Sequence, residues 1–132
     1  MSGQPLPGVT ALLVEPHQEF AATLEKNVEL LGCAVGGIAT SAMEAIEIVA
    51  QRPIDLVFID ESVGGPDLSF LISQLSARGL PYIFIAGDSR DRAGRLEPAI
   101  HRKATPDRIA DGMKQALSKA PPRTWPASKW EG

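Results

Sequence analysis

Short apolar runs alternate along the chain with longer stretches in which apolar residues recur every three or four positions. The runs are too short for helices, and they are typical of strands that are buried on both faces. Gly36 and Gly37 weaken the second run, because glycine has no side chain to pack. The pattern predicts five strands, over residues 9–14, 33–38, 54–60, 81–86 and 99–102.

The stretches between the runs predict amphipathic helices, because the apolar residues of each fall on one face. The first helix is predicted to begin at Pro16, since proline is tolerated in a first turn, and to stop at Gly32. Ser41 and Glu44 have the spacing of a capping box, which predicts the start of the second helix. We expect the third helix over about residues 67–78.

The remaining segments are polar or rich in proline. Residues 87–97 predict a loop with at most a short helix, and Thr105 followed by a proline predicts the start of the last helix. A loose lead-in is expected over residues 1–8 and a tail over residues 121–132. One domain is therefore expected over residues 9–120.

Strands that alternate with helices predict right-handed crossovers and an α/β fold with a parallel sheet covered on both faces. We expect a flavodoxin-like, doubly wound, five-stranded sheet with strand order 2-1-3-4-5. Functional groups in such sheets collect at the carboxyl ends of the strands, so we expect Asp60, which ends the central run, to stand at the mouth of a surface crevice. Asp60 is therefore the first candidate for chemistry, although a strand can also simply surface on a polar residue.

Composition limits the possible functions. The 132 residues carry 13 basic and 16 acidic side chains without a basic cluster, so we expect no direct binding of nucleic acid. No apolar run approaches the roughly 20 residues of a membrane span, and the N-terminus does not look like a secretory signal. Cys33 is the single cysteine, which excludes an internal disulfide and fits a reducing compartment. We expect a cytoplasmic protein.

Three spaced sites carry a resemblance to a known family. With Glu15 after the first strand, Asp60 ending the third, and Arg102 and Lys103 after the fifth, the sequence resembles the receiver domain of bacterial two-component response regulators. The resemblance covers about residues 9–120.

The fourth strand narrows the resemblance. Phe84-Ile85-Ala86-Gly87, with only a short polar segment before the last strand, is most similar to a group of stand-alone receivers in which this strand reads Phe-Ala-Thr-Gly. The helix usually found in that segment is expected to be reduced.

The resemblance implies that Asp60 accepts a phosphoryl group from a phosphohistidine, with Lys103 in contact with the phosphate. It also implies a Mg²⁺ site formed by Glu15, Asp60 and the backbone carbonyl of Ser62. Pro16 stands where the family has a second acidic ligand, so the Mg²⁺ site is expected to be weak.

The family's conformational switch is altered in this sequence. Ala86 stands in place of the hydroxyl residue that ends the fourth strand in the family. Ser89, three positions further along, carries a hydroxyl that could replace it. His101 falls near the position of the switch aromatic. It is interpreted as a strand residue rather than a metal ligand, because His17, the other histidine, lacks a matching partner spacing.

Two functions follow from the resemblance. The first is a single-domain receiver in a phosphorelay, whose partners are a histidine kinase or histidine phosphotransfer protein and a downstream protein, and which at most catalyses its own phosphorylation and dephosphorylation. The second is an atypical receiver that docks to a partner without phosphorylation. Trp125 and Trp130 could anchor the tail to a partner or to a second copy, or lie in a disordered tail.

Two enzyme or ligand-binding classes are disfavoured. A phosphatase of the haloacid dehalogenase type needs a second aspartate two residues after the first, where this chain has Ser62. The glycines fit neither a P-loop nor a dinucleotide fingerprint, which argues against nucleotide binding.

Overall fold

The computed structural model describes residues 6–87 and 99–119. These residues contain five parallel strands and four helices. In chain order they are β1 (Thr10–Val14), α1 (Gln18–Leu30), β2 (Ala34–Ala39), α2 (Ala42–Gln51), β3 (Leu56–Asp60), α3 (Pro66–Ala77), β4 (Tyr82–Ala86), β5 (Ala99–His101) and α4 (Pro106–Lys119).

The strands form one sheet in the order β2-β1-β3-β4-β5, as the sequence predicts. Every residue of β3 is buried, which explains its continuous apolar run. Successive side chains of the central strands point to opposite faces, so that Leu13 and Phe58 pack in one apolar core with α1 and α4. Leu12 and Val57 pack in the other core with α2 and α3. The expected α/β layering is confirmed.

The start of α1 differs from the prediction. The helix begins at Gln18 rather than Pro16, and the N-cap residue His17 has extended backbone angles (φ −96°, ψ 112°). The chain is still held by the sheet at Glu15, whose N–H donates to the Ala39 carbonyl at 2.8 Å. Pro16 therefore lies in a bend between β1 and α1, and its fixed φ does not open the helix.

One of the two hydrogen bonds of the capping box at α2 is confirmed. The Ser41 hydroxyl accepts a hydrogen bond from the Glu44 N–H at 3.2 Å, as expected of an N-cap. The Glu44 carboxylate accepts from the N–H of Thr40 at 2.8 Å instead of that of Ser41. At α4, the Thr105 hydroxyl accepts from the N–H of Arg108 at 3.4 Å.

The lead-in is not loose along its whole length. Leu6 is buried in the core on the α1 side, and its N–H donates to the Leu31 carbonyl at 2.9 Å. The chain is therefore attached to the domain before β1 begins. The predictions for residues 88–98, including Ser89 and the reduced helix, lie outside the described residues, as do those for Trp125 and Trp130. Among the residues described, no helix has the length and apolar character needed to cross a membrane.

Candidate functional site at the carboxyl ends of β1 and β3

Asp60 is the last residue of β3, as the sequence predicts, but its side chain does not stand open at a crevice. Its exposure is 0%. The groups in contact with the carboxylate are polar: the N–H of Ser62 donates to Oδ1 at 2.9 Å, and the side chain of Arg102 covers both oxygens. The expectation of an open carboxylate is thus wrong, because a cation from the end of β5 lies over it.

Arg102 binds Asp60 through two of its nitrogens. Nη2 lies 2.9 Å from Oδ2 and 3.1 Å from Oδ1, and Nε lies 3.3 Å from Oδ2. The guanidinium also lies over the ring of Phe20, 4.6 Å from its centroid. A Cβ on Gly87 would lie 2.9 Å from Nη1, so the absence of a side chain there leaves room for the guanidinium. These contacts hold Arg102 over the carboxylate.

The sequence identified the cationic pair after the fifth strand but assigned the contact to its second member. Lys103 is exposed, and its backbone N–H donates to Nδ1 of His101 at 3.0 Å. The contact with Asp60 that the structure gives is made by Arg102. A role for Lys103 at the phosphate stays a prediction.

Ala86 and His101 lie side by side at the ends of β4 and β5. Ala86 is buried, and its carbonyl accepts a hydrogen bond from the N–H of Arg102 at 2.8 Å. The end of β4 therefore fixes the backbone from which the Arg102 side chain extends. His101 is exposed, and its switch role is not tested by these contacts.

Glu15 reaches the same site from the end of β1. Its side chain is buried, and Oε2 accepts from the backbone N–H of His17 at 3.1 Å and lies 2.9 Å from Nδ1 of His17. One ligand atom from each of Glu15, His17 and Asp60 lies within 4.8 Å of the other two. The predicted metal residues Glu15 and Asp60 are thus brought together.

His17 is the site residue that sequence reasoning missed. His17 has no second histidine at a metal-ligand spacing in the sequence, because its partners are carboxylates at the ends of two paired strands. The available signal was its place two residues after Glu15, at the carboxyl end of β1, where the parallel sheet collects functional groups.

The two carboxyls differ in their ionisation. Burial opposes the charge on Asp60, but hydrogen bonds from Glu15, Ser62 and Arg102 outweigh it and lower the pKa of Asp60 from 3.8 to about 2. Burial raises the pKa of Glu15, and its hydrogen bond with Asp60 raises it further against the opposing bonds from His17. The surroundings therefore favour the charged form of Asp60 and oppose that of Glu15.

The loop after β3 is tied to the end of β4. The N–H of Glu61 donates to the Ile85 carbonyl at 2.9 Å, and the Glu61 carboxylate accepts from the N–H of Gly87 at 2.7 Å. These bonds fix the backbone next to Asp60 and beside the space that Arg102 occupies.

The β2-β1-β3-β4-β5 sheet, with carboxyls at the ends of β1 and β3 and a cation following β5, has the architecture of response regulator receiver domains. The chain has this fold, and the solved structures to which it is similar include response regulators and signal receiver domains, as its sequence predicts.

Among these structures is the PhyR stress response regulator, with 30% identity and a TM-score of 0.73 over 86% of this chain. The chain spans 46% of that protein, about half its length. The signal receiver domain of a modulated diguanylate cyclase from Desulfovibrio desulfuricans G20 is 28% identical, with a TM-score of 0.70, and the match covers 83% of this chain and 94% of that one.

A third similar structure is SdrG from Pseudomonas melonis Fr1 in its BeF3-activated conformation, with 26% identity and a TM-score of 0.70. The match covers 84% of this chain and 98% of that one. No protein-family model matches the sequence, and no curated protein matches it.

Proposed function

We propose that the protein accepts a phosphoryl group on Asp60 from a phosphohistidine of a histidine kinase or histidine phosphotransfer protein. A carboxylate oxygen of Asp60 attacks phosphorus, an acyl phosphate bond forms, and the phosphorus–nitrogen bond breaks with its electron pair going to the departing imidazole. The observation that carries the proposal is the Asp60 carboxylate at the end of β3, paired with Arg102 and close to the Glu15 carboxylate.

Arg102 is the residue best placed to neutralise the transferred group. Its guanidinium already pairs with both oxygens of Asp60, and guanidinium groups bind phosphate oxygens in the same forked geometry. Attack requires Arg102 to leave the Asp60 oxygens, which its side-chain exposure of 22% permits. The Ser62 N–H, 2.9 Å from Oδ1, keeps the carboxylate oriented meanwhile. Lys103 would be a second cation if it turns toward the site.

Mg²⁺ fits the residues present in part. Glu15 and Asp60 offer carboxylate oxygens close to one another, and the Ser62 carbonyl follows two positions after Asp60. Pro16 offers no side-chain oxygen, and Arg102 already balances the charge of Asp60. Bound Mg²⁺ would neutralise charge on the phosphoryl oxygens. We expect weak binding, because Mg²⁺ requires near-octahedral oxygen ligation.

Output would pass through contacts with other proteins: a downstream target or a second copy of the chain. Ala86 has no hydroxyl to bond a phosphoryl oxygen, so the signal must leave the site by another route, for which movement of Arg102 is the available change. SdrG, a similar structure, has a BeF3-activated conformation, which supports activation of this chain by a phosphoryl-like group.

Incubation with Mg²⁺ and acetyl phosphate, followed by intact-mass measurement, tests the proposal. We expect one added phosphoryl mass in the wild type and in Asp55→Asn, and none in Asp60→Asn. Asp55 is the matched control, because it is an equally buried aspartate that immediately precedes the first residue of β3. The absence of any increment at every Mg²⁺ concentration, or an increment that survives Asp60→Asn, would contradict phosphorylation at Asp60.

A second function, docking without phosphorylation, is favoured by one observation. Asp60 has no exposed surface, because Arg102 covers both of its oxygens. If that ion pair never opens, the domain is a fixed surface for a partner protein. The same mass measurement separates the two functions, since only the first gives an increment.

A further inference from the structure

Glu15, His17 and Asp60 form a mixed cluster that differs from the carboxylate and carbonyl set expected for Mg²⁺. The ligand atoms, one from each residue, lie within 4.8 Å of one another. Nδ1 of His17 is already 2.9 Å from Oε2 of Glu15. A tetrahedral zinc ion takes nitrogen and oxygen ligands at about 2.0–2.2 Å, which places two of its ligands about 3.3–3.6 Å apart. The widest separation in the cluster must therefore close by up to about 1 Å to hold such an ion.

The backbone fixes two of the three groups. Glu15 is bonded to the end of β2 through its N–H, and Asp60 ends β3, which pairs directly with β1. The His17 ring packs edge-on against Phe20 at 5.5 Å between centroids. The His17 side chain is 49% exposed, whereas that of Glu15 is 1% exposed. An ion could therefore enter past the histidine and meet the buried carboxylates.

The donor set selects the class of metal. Imidazole suits zinc and other transition metals, whereas Mg²⁺ prefers carboxylate, carbonyl and water oxygens. We propose that Glu15, His17 and Asp60 bind a divalent transition metal ion such as Zn²⁺ in preference to Mg²⁺. This inference rests on the proposed function only in sharing its site, and it does not need phosphoryl transfer to occur.

Arg102 is the obstacle that the ion must overcome. Its guanidinium occupies the two Asp60 oxygens, so a dication at this carboxylate must displace it or lie beside it. Part of its side chain is open to solvent, which gives the guanidinium a place to move. Removing its charge should consequently strengthen metal binding, because like charges close together repel each other.

Calorimetric titration of the intact protein with ZnCl₂ and with MgCl₂, without a phosphodonor, tests the proposal. We expect Zn²⁺ to bind at least about tenfold more tightly than Mg²⁺. His17→Ala should weaken Zn²⁺ binding by at least about tenfold, because loss of an outer-shell partner already costs about 10- to 100-fold and His17 is proposed as a direct ligand. Its effect on Mg²⁺ should be less than about twofold, since Mg²⁺ does not depend on imidazole.

His101→Ala is the matched control, because His101 is the other histidine, is exposed, and is not in the cluster. Arg102→Gln should raise Zn²⁺ affinity. Equal losses in the two histidine variants, a Mg²⁺ affinity matching that of Zn²⁺, or no gain in Arg102→Gln would overturn the assignment. A chain that binds Zn²⁺ through His17 but never gains a phosphoryl group would keep this inference and reject the proposed function.

Discussion

The Asp60 carboxylate and the Arg102 guanidinium decide together what can reach the site. The Arg102 guanidinium bonds both oxygens of Asp60 and lies over the ring of Phe20, and Gly87 leaves room for it. None of Arg102, Phe20 and Gly87 belongs to either apolar core, so their loss should act on the fold only through the charge of Asp60.

Arg102→Gln should raise the pKa of Asp60. Burial already opposes the charge on this carboxyl, and hydrogen bonds, that of Arg102 among them, are what hold its pKa near 2. Gly87→Ala should raise the pKa in the same direction, because the new methyl group displaces the flexible end of Arg102. Carboxyl carbon NMR titration measures both. Arg108→Gln, in an exposed arginine of α4, is the control, and an unchanged Asp60 pKa in Arg102→Gln would contradict this account of the pair.

Asp60 should also contribute to acid unfolding. Its folded pKa of about 2 lies below its ordinary value of 3.8, so its ionised form adds stability that is present above pH 3.8 and is lost as the pH falls through about 2. Asp60→Asn removes this contribution. The free energy of unfolding of that variant should change less between pH 3.8 and about 2 than that of the wild type. Urea unfolding at several pH values measures it, with exposed Asp111→Asn expected to follow the wild type.

Strand β2 shows how packing changes the meaning of a residue type. Gly36 and Gly37 weaken the strand signal in the sequence, yet the strand forms and pairs with β1 across a register shift between Ala11 and Leu12. A Cβ on Gly36 would lie 2.7 Å from Cδ1 of Ile54 and 2.8 Å from Cγ2 of Thr10. Glycine is therefore required at position 36, because its neighbours occupy the space of a side chain.

Gly36→Ala should destabilise the fold by about 1 to 3 kcal/mol, the usual cost of adding a methylene to a well-packed site. The matched control is Gly64→Ala in the loop before α3, where a Cβ would meet nothing within 4 Å. Urea unfolding of both variants measures the difference. Equal stability of the two variants would show that the strand can open at Gly36 and that the close packing is not required.

The order of strands and the layering of helices in the whole domain could be predicted from the sequence. Buried parallel strands need continuous apolar runs, and residues 54–60 carry a clear one. The start of α1 could not be predicted, because proline fits both a bend between elements and a first helical turn. Leu6 was missed because a single apolar residue among prolines and glycines has no periodicity to reveal its burial.

The candidate site could be predicted only in part. Position along the strands identified Asp60 and Glu15, since parallel strands align their carboxyl ends. The choice between Arg102 and Lys103 depends on which side chain the backbone after β5 directs toward the sheet edge. The two residues are adjacent and both cationic, so the sequence does not distinguish them. Grouping His17 with Asp60 requires knowing that β1 pairs with β3, and the spacing of residues along the sequence does not give this pairing.

The most direct test of the account is to locate the phosphoryl group in the chain. After incubation with acetyl phosphate and Mg²⁺, borohydride reduction would convert an aspartyl phosphate to homoserine, which peptide mapping by mass spectrometry identifies. We expect homoserine at position 60 and at no other aspartate. Homoserine at another position, or an unmodified chain under conditions that phosphorylate a known receiver in parallel, would contradict it.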